Sequence, residues 1–243
     1  MTDTATGRFD TAPGRSGVSE SLRRFVAEFP YERGSIFDFV ARAARATPAG
    51  ARVVDVGAGD APYSELFAHT EYTAIDWENS PHEGDDVDLV ASAEVLPVPD
   101  GAFDAVLFTQ VLEHVPEPGR VLRELHRILK PGGCLYLTAP LAWELHELPH
   151  DYYRYTPAGL NHLLTTAGFE AVTIEARNDC FSTLAQLMLN IGSAMGRAED
   201  GLNERREAAA GVLRELAGQV VELAPLDASR IFPLGYAATA RRP

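Results

Sequence analysis

Between Arg52 and Thr138, short apolar runs rich in β-branched residues alternate with stretches of helical periodicity, and this alternation restricts the fold more than any other feature of the chain. The spacing predicts strands over Arg52–Val56, Tyr72–Ile75, Val87–Val90, Phe103–Phe108 and Cys134–Thr138, with helices over Pro62–Ala68 and Pro118–Leu129. The second helix carries the clearer signal, because Val121, Leu122, Leu125, Ile128 and Leu129 recur at helical spacing and "KPGG" follows them. Strands that alternate with helices build an α/β fold with a mostly parallel sheet, since each parallel return must cross a face of that sheet.

The pattern continues with a helix over Ala158–Ala167, a strand over Phe169–Glu175 and a last strand near Gly235–Ala240. Two helical segments precede that strand, one striped by Leu184, Leu187, Met188, Ile191 and Met195, the other by Val212, Leu213, Leu216, Val220 and Leu223. Over residues 181–224 these form an insertion whose apolar faces are expected to pack on the domain or on a second copy of the chain; a lid over a substrate pocket is the other reading. Two more helices, "VSESLRRFVAEF" and "GSIFDFVARAARA", precede the first strand, with Pro30 and Gly34 punctuating between them. Residues 1–17 read as a polar, disordered tail and residues 18–243 as a single domain.

Charge narrows the partners. With 21 basic against 35 acidic residues, the formal charge of −14 repels nucleic acid phosphates and anionic lipid. The two cysteines, Cys134 and Cys180, lack CxxC spacing, so neither a disulfide framework nor a zinc knuckle is implied. No apolar signal core or membrane-spanning run is present, and a reducing cytoplasmic setting is the expectation.

The stretch "VVDVGAGDAPYSEL" joins a strand to a glycine turn. Gly57 and Gly59 have the spacing of a dinucleotide fingerprint, but Pro62 stands where the third glycine belongs, which disfavours NAD. Asp55 ends the strand just ahead of the turn, where its carboxylate would repel a pyrophosphate and accept hydrogen bonds from an ammonium group. Asp76 ends the next strand and so lies over the same crevice, in reach of a ribose diol.

At these residues the chain resembles the class I S-adenosylmethionine-dependent methyltransferases, and within them the broad type 11 small-molecule subgroup. The likeness runs from about Arg52 to Phe169 through "VVDVGAGDAPY", "AIDW", "ASAEVLPVPDGAFDAVLFTQVLEHV" and "ILKPGGCLYLTAP", four motifs in one order. It implies a Rossmann-like, seven-stranded, mostly parallel sheet flanked by helices, with S-adenosyl-L-methionine as cofactor. It also places Asp55, Gly57 and Gly59 beside the methionine part of the cofactor, Asp76 on the ribose, Trp77 against the adenine and Gln110 near the amino acid end. The family's Asp-Ala pair near the adenine amino group is Ser92-Ala93 here, so a neutral hydroxyl replaces a carboxylate.

Methyl transfer needs alignment above all, and a base only where the acceptor must lose a proton. Candidate bases are His114 in "VLEHV" and His150, the latter paired with Asp151, in the loop "WELHELPHDYYRYTP" after the fifth strand. His146, Tyr152, Tyr153 and Arg154 of that loop are candidate substrate contacts, and Thr156 is placed to cap the helix begun by Pro157. His146 and His150 have H-x₃-H spacing, but Pro149 breaks any helix that would set both rings on one face, so no metal site is assigned. The function expected is methyl transfer to an O, N or C nucleophile of a small molecule, such as a bacterial secondary metabolite or a sugar-containing intermediate. The alternatives are a non-methylating cyclase or binding protein on the same fold, or a nucleotide-dependent oxidoreductase, against which Pro62 weighs.

Overall fold

The computed structural model describes residues 17–81, 87–195 and 203–243. The expected tail falls outside these, apart from Gly17. Two helices, α1 (Glu20–Glu28) and α2 (Glu32–Ala46), precede strands β1 (Arg52–Val56), β2 (Glu71–Asp76), β3 (Leu89–Val90) and β4 (Phe103–Thr109). Helix α3 (Pro118–Ile128), β5 (Leu129–Pro140), α4 (Pro157–Thr166) and β6 (Glu170–Arg177) follow. The insertion comprises α5 (Cys180–Met195) and α6 (Asn203–Val220), and β7 (Gly235–Arg241) closes the sheet.

The seven strands lie in the order β3-β2-β1-β4-β5-β7-β6, parallel except for β7, which runs antiparallel to both of its neighbours. This is the Rossmann-like methyltransferase topology that the strand pattern and the resemblance implied. Strand alternation divides the core into two layers. Val54, Val56, Val106, Phe108, Leu135 and Leu137 face α3 and α4, while Val53, Ala105, Leu107, Cys134 and Tyr136 face α1 and α2. Asp55 shares the second face and is therefore sealed beneath α1 and α2, only 1% exposed.

One expectation fails locally. The helix expected over Pro62–Ala68 is only a 3-10 turn at Ser64–Phe67. Ala61 sits at φ +45, a left-handed conformation from which no α-helix can start, and α1 and α2 already cover this face by burying Tyr63 and Phe67. In the insertion, part of each expected stripe faces away from the domain. Helix α5 buries Ser182, Thr183, Ala185, Gln186, Asn190 and Gly192, while Leu184 and Ile191 of the expected packing stripe are 44% and 52% exposed. On α6, Ala210 and Ala217 are buried, and Val212 and Leu216 face outward.

Hydrogen bonding explains the turn of α5. Helix α2 starts at Tyr31 with no side-chain cap of its own, leaving N–H groups that need partners. Gln186 Oε1 accepts from the Tyr31 and Glu32 N–H groups at 3.2 and 3.3 Å, and Gln186 Nε2 donates to Asn190 Oδ1 at 2.8 Å. Small residues let α5 and α6 approach, with an added Cβ on Gly192 meeting Ala210 Cα at 3.5 Å. Leaving the Tyr31 and Glu32 donors without a partner would cost about 1–3 kcal/mol each, and this orientation of α5 satisfies them.

Candidate active site

The carboxyl ends of β1, β2, β4 and β5 converge on one edge of the sheet. The turn after β1 is bound there, with the Gly57 and Ala58 N–H groups donating to Ile75 O at 2.8 and 3.1 Å. Gly57 holds φ +74 and packs directly on the Val111 side chain, so a Cβ at this position has no room. Asp76 ties the turn to β2, accepting from Gly59 N at 2.7 Å, Trp77 N at 2.7 Å and Ser80 Oγ at 3.1 Å. Those bonds take three of the roughly four acceptor positions of a carboxylate and leave one for a ligand hydroxyl.

Asp55 Oδ2 accepts from Tyr72 OH at 2.7 Å, and Oδ1 is buried with no hydrogen-bond partner among the described residues. Burial pushes the Asp55 carboxyl up to about 7, while the Tyr72 hydrogen bond holds it down and the nearby Asp76 charge adds to the rise. An ammonium group delivered to Oδ1 would restore the charged form, so the orphaned oxygen fits the amino acid end of S-adenosylmethionine. Tyr72 was not among the expected site residues. Its signal lies in the register, because Val53 pairs with Tyr72 and two residues on Asp55 returns to the same face.

The other expected cofactor residues spread along this edge. Trp77 is half-buried and meets the His150 ring edge-on at 5.1 Å between centroids. Ser92 is exposed, its hydroxyl accepting from Glu94 N at 3.3 Å, and Ala93 packs at the margin of the core. Gln110, at φ +55, bridges β4 and β5 by donating from Nε2 to Thr138 Oγ1 at 2.9 Å.

The acceptor side is built from the 3-10 turn Leu112–His114 and the loop after β5. Tyr152 N donates to Glu113 O at 2.9 Å, and Tyr155 OH to Leu112 O at 2.9 Å, which fastens the loop to the turn. Tyr153 OH donates to Pro116 O, and Thr156 caps α4 by accepting from Gly159 N at 3.1 Å. His114 Nδ1 lies 2.9 Å from the carbonyl oxygen of His150, a contact only a protonated Nδ1 can make, so the ring lone pair is on Nε2. That Nε2 is buried without a hydrogen-bond partner among the described residues, 3.7 Å from Glu147 Oε2 and 3.9 Å from Glu113 Oε1. Burial lowers the His114 pKa, against a raising effect from Glu147, and keeps the ring neutral at pH 7.

The expected pairing of His150 with Asp151 is not what forms. Asp151 is buried in a two-pronged ion pair with Arg154, at 2.5 and 2.9 Å, and accepts from His146 N at 3.1 Å. The Arg154 hydrogen bonds pull its carboxyl down to about 2, so Asp151 stays ionised and locks the loop. Arg154 also donates to Glu144 O at 2.8 Å, which commits the guanidinium to the loop itself. His150 Nδ1 faces Tyr152 OH at 3.2 Å. The histidine brought to His114 is His146, with ring centroids 4.6 Å apart. Glu113, His114 and His146 each offer a ligand atom within 4.8 Å of the others, a set that could hold a metal ion where the H-x₃-H spacing of His146 and His150 suggested none. Both oxygens of Glu113 are buried without partners among the described residues, and burial pushes its carboxyl up to about 8.

Comparison with known proteins agrees with this architecture. A family model for the methyltransferase domain matches residues 29–174, more than half of the chain. A ubiquinone biosynthesis O-methyltransferase of Xanthomonas axonopodis pv. citri is 39% identical over 137 residues, covering 49% of this chain and 57% of that protein. The chain thus spans little more than half the length of the curated relatives it matches. Among solved structures, the [4+2]-cyclase SpnF superposes with a TM-score of 0.58 at 26% identity, covering 87% of this chain and 81% of that one. An S-adenosylmethionine-dependent methyltransferase from Archaeoglobus fulgidus superposes with a TM-score of 0.57 at 20% identity, over 90% and 98% of the two chains. Among the described residues no helix is long and apolar enough to cross a membrane. With a glycine turn tied to an acidic β2 end, an orphaned carboxylate oxygen under it, and a family match over residues 29–174, the chain belongs to the S-adenosylmethionine-dependent methyltransferases.

Proposed function

We propose that this chain methylates a hydroxyl oxygen of a small biosynthetic intermediate, with His114 as the general base. The observation that carries the reading is the buried Nε2 of His114, held as a bare lone pair by the Nδ1 contact to His150 O. S-adenosylmethionine, when bound, supplies a methyl group made electrophilic by the attached sulfonium. Asp55 and the Gly57–Gly59 turn would hold its amino acid end and Asp76 its ribose. His114 Nε2 would take the proton of the acceptor hydroxyl as that oxygen attacks the methyl group in line. Alignment supplies most of the acceleration, and the rigid loop fastened by Asp151–Arg154 provides it. The curated relatives' naming as O-methyltransferases supports an oxygen acceptor. The acceptor class proposed is a secondary metabolite or a sugar-containing intermediate.

The test is formation of S-adenosylhomocysteine against a panel of phenolic and sugar hydroxyl acceptors, in wild type and His114→Ala. The expected loss in kcat is about 100-fold, the low end for a general base, with cofactor affinity unchanged. An unchanged kcat refutes the base assignment. The likeness to the [4+2]-cyclase favours a second reading, ring closure on a retained cofactor site. Calorimetric binding of S-adenosylmethionine with no S-adenosylhomocysteine formed from any acceptor would select it.

A further inference from the structure

The outward face of α5 adjoins a groove of about 390 Å³ whose walls include Trp143, Leu187, Ile191 and Ala194 and whose polar groups are Asn190 and Glu144. Asn190 is bonded on both ends of its amide, Oδ1 accepting from Gln186 Nε2 and Nδ2 donating to Glu144 Oε2. The same Glu144 carries, on its carbonyl oxygen, a 3.2 Å contact to His146 Nδ1, and His146 in turn packs on His114. The groove is therefore continuous with the loop that holds the base. We propose that it is the apolar subsite of the acceptor, which seats an uncharged aromatic or aliphatic portion against Trp143 and Ile191 while the reacting hydroxyl lies at His114. This inference rests on the methyl-transfer reading above.

Three observations support that occupant. Ile191 is 52% exposed on a helix whose buried face is made by other residues, Ala185, Gln186 and Asn190 among them, so folding does not account for its apolar character. The hydrogen bonds from Gln186 to the start of α2 and from Asn190 to Glu144 fix both walls in advance, as a preformed binding site requires. The volume also suits a small molecule: a cavity of ~150 Å³ takes one benzene ring, so 390 Å³ accommodates about two rings or a chain of equal bulk. A formal charge of −14 and the adjacent Glu144 disfavour an anionic portion.

Trp77 and Trp143 are the two tryptophans of the chain, so Trp77→Phe leaves Trp143 emission as a reporter of the groove. The probes are 6-bromo-2-naphthol and its anionic counterpart 6-bromo-2-naphthoate, titrated into the full chain. Saturable quenching by the naphthol is expected, weakened about tenfold (~1.4 kcal/mol) by Leu187→Gln with Ile191→Gln, since both changes remove apolar contact with the ring. Leu216→Gln, an exposed apolar site on α6 outside the groove, should leave it unchanged, and the naphthoate should bind more weakly. Equal affinity in the groove and α6 variants, or no saturable quenching, overturns the proposal. So does a change of oligomeric state in the Leu187/Ile191 variant, seen by sedimentation velocity with probe affinity intact, which would assign the face to a second copy. Naphthol binding in a chain that fails to bind S-adenosylmethionine by calorimetry would instead sink the methyl-transfer reading and leave the groove standing.

Discussion

Glu113→Gln should flatten the dependence of stability on pH. Glu113 is fully buried with neither carboxylate oxygen partnered among the described residues, and its carboxyl is pushed from 4.5 up to about 8 by burial. Between those limits the folded chain keeps a proton that the unfolded chain has released. A carboxyl raised in this way contributes fully below the unfolded value, and stability falls as pH rises towards the folded one, by up to ~1.4 kcal/mol for each pH step. Across the window the loss is on the order of 4 kcal/mol. Glutamine keeps the shape and removes the titration, and whatever its own buried amide costs is the same at every pH. For a chain of this size the differential corresponds to roughly 8–16 °C in melting temperature. Circular dichroism melts of both proteins from pH 5 to 8.5 provide the measurement. Asp55 titrates in both proteins and cancels in the difference. The wild-type melting temperature should fall relative to the variant by at least ~8 °C across that range. Parallel curves would refute the reasoning and mean that the carboxylate is ionised in the fold, compensated by the Arg154 and Arg177 charges that oppose its rise.

Asp76→Ala should weaken S-adenosylmethionine binding about tenfold or more by calorimetry, since the charge-assisted bonds at the end of β2 are each worth about 1.5–3 kcal/mol; unchanged affinity would remove Asp76 from the ribose. Gly57→Ala should destabilise the chain by about 1–3 kcal/mol, because a Cβ would strike Val111 and the residue sits at φ +74; a normal denaturant midpoint would contradict the close approach. The rate should rise with pH through a His114 pKa below 6.5 and stay level above it, since only the neutral ring accepts a proton; a profile centred above 7 argues against His114. Asp151→Asn should loosen the loop by about 1.5–3 kcal/mol near neutral pH. The carboxyl's contribution is present above its ordinary 3.8 and disappears as pH falls towards about 2, so proteolysis of wild type and variant should converge in strong acid.

Much of the fold was legible because it rests on local chemistry. Alternation along β1, β4 and β5 and the stripe on α3 each report which side of a single element meets the core, and they gave the sheet and both of its layers. The glycine turn, Asp55 and Asp76 were legible for the same reason, since strand ends and positive-φ glycines are written in a few adjacent residues. Tertiary structure decided the matters that depend on where distant donors and charges find partners. It gave Asp151 to Arg154 and not to His150, set His146 instead of His150 beside His114, and left Glu113 without a partner among the described residues. It also replaced the helix after β1 by a turn, because α1 and α2 had taken that face. The sharpest case is α5. Its aliphatic stripe could pack on the domain or on a second copy, but Gln186 caps α2 from 155 residues away, and that hydrogen bond turns Leu184 and Ile191 outward. Periodicity records the side an element can bury, while long-range satisfaction of buried polar groups determines the side it does bury.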